Sequence, residues 1–103
     1  SEMFWGAKRF NSDISRWNVS NVTSMYAMFR CAKSFNGDLS AWDVSNVINM
    51  CSMFEDAQSF KGDLSKWNVA KVEVKNAMFK NCSRKLIIPQ WYKANRVFKN
   101  LGN

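Results

Sequence analysis

The chain has 103 residues, of which 47% are hydrophobic and 15% aromatic, with five Trp and eight Phe. This content excludes a disordered chain and implies a packed interior in about one domain. The formal net charge is +7, histidine is absent, and no run of apolar residues reaches the roughly 18 that a membrane-spanning helix needs.

The strongest pattern is a repeat. The pair Met-Phe recurs at Met3-Phe4, Met28-Phe29, Met53-Phe54 and Met78-Phe79, a spacing of 25 residues each time. Phe10, Phe35 and Phe60 keep the same period, as do Asp13, Asp38 and Asp63, and Trp17, Trp42 and Trp67. Units 3–27 and 28–52 share 14 of 25 residues, and units 28–52 and 53–77 share 12 of 25. The domain reading is therefore three tandem repeats (3–27, 28–52, 53–77) with the start of a fourth to residue 79, followed by a basic C-terminal cap over 80–103. The chain opens inside a repeat, so it reads as part of something longer. Met3, Phe4 and Trp5 lie on an open N-terminal end, which invites self-association.

Within a unit, residues 13–19 read as a short extended segment, with a bend because Ile14 and Trp17 are three apart. Gly37 and Gly62, beside Asn36 and Lys61, mark the turn before it in the second and third units. Val22, Met25, Met28, Phe29 and Ala32 follow at helical spacing, with Ser20 and Asn21 as N-caps. The same pattern predicts helices near 46–57 and 71–81. In the cap, Leu86-Ile87-Ile88 suits a final strand. Pro89 suits a helix start, and Trp91, Ala94, Val97, Phe98 and Leu101 share a helical face. The expected fold class is α/β, a short right-handed strand-helix solenoid with a C-terminal capping helix, since a 25-residue unit cannot bury its apolar face alone.

The unit Met-Phe-x-x-Ala-x-x-Phe-Asn-x-Asp-Ile/Leu-Ser-x-Trp-Asn/Asp-Val-Ser-Asn-Val-x-x-Met resembles the BspA-like bacterial surface-protein repeat, particularly the form found in mycoplasma surface lipoproteins. The resemblance covers about residues 3–79, with departures at Lys71 and Lys75. It implies a leucine-rich-repeat-like fold and a cell-surface or secreted setting. It also implies a role in adhesion or protein–protein contact with host or cell-surface components. It supplies no reaction, no cofactor and no ligand-binding residues.

Charge is the feature the repeat does not explain. Residues 80–103 carry Lys80, Arg84, Lys85, Lys93, Arg96 and Lys99 without any acid, a balance of +6 against +1 for the rest. These six residues form a candidate polyanion-binding set for a glycosaminoglycan, a nucleic acid or an anionic lipid, or they keep the end of the repeat array soluble. The Asp column either shares a cation between carboxylates about 5 Å apart or caps its own turns, and the second reading is favoured. The Trp column reads as core rather than as a ligand platform. Cys31, Cys51 and Cys82 fall in different columns, out of disulfide reach, and read as free, partly buried thiols. The glycosylation sequons at Asn18, Asn21 and Asn81 largely follow from the repeat itself. Without a histidine base, a phosphate loop or a nucleophile motif, an enzyme is not expected, and neither is a cofactor or metal. The leading expectation is a non-catalytic module of a bacterial surface protein that binds a protein partner. The alternatives are polyanion binding through the cap and a structural spacer.

Overall fold

Left-handed residues decide the local structure. In the computed structural model, which describes residues 3–93, Ala27, Cys31, Ser52, Asp56, Ala77 and Asn81 have φ between 52° and 61°, and Gly6 has φ 76°. The six non-glycine residues recur in pairs four residues apart, at the period of the sequence, and Gly6 stands in the column of Cys31, Asp56 and Asn81. A helix cannot pass through such residues, because it needs an unbroken run of right-handed φ.

The backbone instead alternates between two kinds of hydrogen bond. The amides of Met28, Arg30 and Ala32 donate to carbonyls three residues back, at 3.0 to 3.2 Å, which makes successive tight turns. Between them, the amides of Met25, Ala27, Phe29 and Cys31 donate to the carbonyls of Asn49, Cys51, Met53 and Glu55 in the next unit, at 2.8 to 3.0 Å. Met50, Ser52, Phe54 and Asp56 repeat this toward Val74, Asn76, Met78 and Lys80. Each unit thus satisfies half of this stretch's amides locally and half on its neighbour.

This geometry corrects the expected fold class. The helices expected over 22–32, 46–57 and 71–81 are turns. Residues 13–19 form no strand: Asp13 Oδ1 accepts the Ser15 amide at 2.9 Å, and the Trp17 amide donates to Ile14 O at 3.1 Å, closing another turn. Pairing among the described residues is limited to two isolated parallel bridges, Ser24 with Asn49 and Asn49 with Val74. The one helix described, α1, spans residues 90–93. The remainder of the expected capping helix lies outside the described residues. The protein is a compact, turn-built globule with a radius of gyration of 13.0 Å, not an α/β strand-helix solenoid of the leucine-rich-repeat kind.

The core nevertheless uses the columns of the repeat. Phe29 stacks on Phe4 at 5.4 Å and on Phe54 at 5.5 Å, and Phe79 extends the row at 5.8 Å from Phe54. A second row runs through Phe10, Phe35 and Phe60, and the two rows interlock where Phe29 meets Phe35 at 4.6 Å and Phe54 meets Phe60 at 4.4 Å. Phe29, Phe35, Phe54 and Phe60 are fully buried. Each contributes about 1.5–3 kcal/mol from burial, before the added gain from ring geometry.

Tryptophan ties one unit to the next. The Trp42 indole Nε1 donates to Ile14 O, and that of Trp67 to Leu39 O, both at 2.9 Å. Trp91 makes the same bond to Leu64 O at 2.9 Å and leans on Phe79, as Trp67 leans on Phe54. Trp91 therefore does in the cap what the repeat tryptophans do before it. Trp17 is 44% exposed, and with Met3 and Trp5 it leaves an apolar surface at the N-terminal end.

Candidate functional site

The C-terminal end carries a cleft of about 460 Å3, within the size range of small-ligand sites. One wall comes from the third unit: Lys61, Gly62, Asp63 and Ser65. The other comes from the cap: Lys85, Ile87, Ile88, Pro89, Gln90 and Lys93. Leu86 joins the core and Ile88 packs against it, so the segment is anchored on both sides of Ile87. Pro89 is buried, and its carbonyl accepts the amides of Tyr92 and Lys93 at 3.1 and 3.4 Å, which starts α1 and places Lys93 at the cleft.

Lys61 reaches this wall because the repeat changes there. Asn11 Oδ1 accepts the Asn36 amide at 2.8 Å, and Asn36 Oδ1 accepts the Lys61 amide at 2.9 Å. Asparagine is used in this column to bond the unit that follows. The third unit has lysine instead, and this residue lines the cleft. A parallel change occurs at Lys71, whose Nζ donates to Asn46 Oδ1 at 2.9 Å.

Of the six residues expected to bind a polyanion, Lys85 and Lys93 meet in the cleft. Lys80 and Arg84 are exposed but do not line it. Arg96 and Lys99 lie outside the described residues. Lys61, Asp63 and Ile87 were not in the sequence-derived set. The signal for Lys61 was its departure from the column of Asn11 and Asn36. Ile87 carried no such mark, because in a short apolar run the sequence does not say which residue points outward.

The remaining candidates resolve into local structure. Asp13, Asp38 and Asp63 each accept the amide of the serine two residues on, at 2.9 Å. The serine hydroxyl and amide together hold each carboxyl below its ordinary value of 3.8, against the mutual repulsion that Asp38 feels from its two neighbours in the column. Among the described residues no three His, Cys, Asp or Glu side chains group as a metal site. The three cysteines are free and half-buried. Cys82 donates to Phe54 O, and burial pushes its thiol up to about 11, so it stays protonated at neutral pH.

A second ladder crosses the surface. Glu55 is buried and sits 3.6 Å from Arg30, whose guanidinium lies 5.5 Å from the Trp5 ring centre. Trp5, Arg30, Glu55 and Lys80 share one column of the repeat, so these contacts join successive units.

A family model described as "Mycoplasma protein of unknown function, DUF285" matches residues 1–91. The chain belongs to the DUF285 family. The DUF285 match closes at Trp91, the last residue to make the indole bond that joins units. No curated protein and no solved structure matches the chain. Among the described residues of this DUF285 chain, no helix is long and apolar enough to cross a membrane.

Proposed function

We propose that this DUF285 chain is a non-catalytic interaction module of a surface or secreted protein, and that it holds a polyanionic partner at its C-terminal cleft. One observation carries the reading: Lys61, Lys85 and Lys93, distant in sequence, converge on one cavity with a single acid, Asp63, among its lining. One exposed lysine contributes little to binding, but several facing one concavity sum to a field that attracts anions. The surface setting is proposed from the likeness of the repeat to BspA-like and mycoplasma surface proteins; membership of DUF285, a Mycoplasma family of unknown function, is compatible with the second of these.

The test is retention on immobilised heparin over a salt series. The full chain is expected to bind at low salt and to elute as salt rises, because released counterions make polyanion affinity fall with salt. Changing Lys61, Lys85 and Lys93 together to Gln is expected to abolish retention. A wild-type chain that flows through at about 50 mM salt would reject the reading, and so would a triple variant retained as strongly as wild type.

A protein partner, the leading expectation from sequence, has a second surface in its favour. Tyr26, Ile48 and Val74 are exposed along the line of the two parallel bridges, where the Val74 amide donates to Ile48 O. Exposed apolar side chains near these bridges suit contact with another protein surface.

A further inference from the structure

Ile87 is left unexplained by a soluble polyanion. It is 85% exposed, more than any other large apolar side chain among the described residues. Its neighbours on either side, Leu86 and Ile88, pack into or against the core, so Ile87 is held outward by an anchored segment. It stands on the rim of the cleft that Lys61, Lys85 and Lys93 also line. A polymer of anions gives such a side chain no apolar partner, and in water its exposure opposes solubility.

An apolar tip beside a cluster of lysines is complementary to a bilayer with anionic headgroups. There the charges meet phosphate, and the apolar group enters the boundary between headgroups and acyl chains. We propose that the cleft docks this chain on an anionic phospholipid surface, with a headgroup phosphate among the three lysines and Ile87 inserted beside it. The inference rests on the reading of the cleft as an anion site and names its partner. Asp63, on the same wall, accepts from a headgroup that carries a hydroxyl or ammonium group.

The experiment is co-sedimentation of the full chain with phosphatidylglycerol–phosphatidylcholine vesicles and with pure phosphatidylcholine vesicles at about 150 mM salt. Ile87→Ser is measured alongside, and every sample is also run on heparin. Ile87 is almost fully exposed, so the variant leaves the core intact. The chain is expected to sediment with the anionic vesicles and not with the zwitterionic ones. Ile87→Ser should lower that partitioning about tenfold, as expected for an isoleucine withdrawn from an apolar phase, with heparin retention unchanged. Millimolar glycerol phosphate should not displace the chain, because it offers the headgroup charge without the bilayer. Equal partitioning of Ile87→Ser and wild type would overturn the insertion. Displacement by glycerol phosphate, or heparin retention without vesicle binding, would overturn the membrane partner and leave the anion site. Failure to bind either would overturn both.

Discussion

A Cβ added at Gly37 would lie 2.7 and 2.8 Å from two carbons of the Phe35 ring, and one at Gly62 would meet Phe60 at 2.9 Å. Phe35 is fully buried and stacked among Phe10, Phe29 and Phe60, so its ring has nowhere to move. Gly37→Ala is therefore expected to destabilise the protein by about 1–3 kcal/mol through overpacking, measured as a lowered denaturation midpoint. A neutral result would mean that Phe35 is not clamped. At this scale the sequence was informative. The Phe columns and the burial of Trp42 and Trp67 follow from periodicity and composition, and the structure places them in one core, whereas Trp17, read into the same column, is exposed. The glycines were legible as turn markers. Their closer reason was not, because it lies in a ring folded back over the backbone two residues away.

The element scale shows where periodicity misleads. Val22, Met25, Met28, Phe29 and Ala32 have helical spacing, yet the residues between them include Ala27 and Cys31 in the left-handed region. Successive three-residue turns send inward much the same positions that a helix would, so the apolar pattern alone cannot separate the two. Gly6, Asp56 and Asn81 are residue types that favour the left-handed region, whereas Ala27, Cys31, Ser52 and Ala77 carry no such mark. Ala27, Cys31 and Ser52 are accepted because their amides bond the next unit and fix the backbone. Ala77, half-buried with φ 58°, offers a test. Glycine removes a left-handed penalty of about 1–2 kcal/mol and adds about 0.5–1 kcal/mol of backbone entropy cost. Ala77→Gly should thus raise the denaturation midpoint slightly, whereas a right-handed helix through 71–81 would be weakened by it. A fall of about 1 kcal/mol in stability would restore the helical reading.

Over the whole molecule, charge and repetition meet at one end. The excess of positive charge beyond residue 79 was visible in the sequence and directed attention to the cap. Which lysines act together was not visible, since Lys61 belongs to the third unit and reaches Lys85 and Lys93 only through the stacking of that unit against the cap. Trp91 explains why the two meet: its indole bond to Leu64 O pins the start of the cap onto the third unit, beside Asp63 and Ser65. The most direct test of the cleft is an amide chemical-shift titration of the full chain with a heparin-derived oligosaccharide. The account predicts that shifts concentrate at Lys61, Gly62, Ser65, Lys85, Ile88 and Gln90. Shifts centred instead on Trp5 and Trp17 at the N-terminal end, or along Tyr26, Ile48 and Val74, would contradict it.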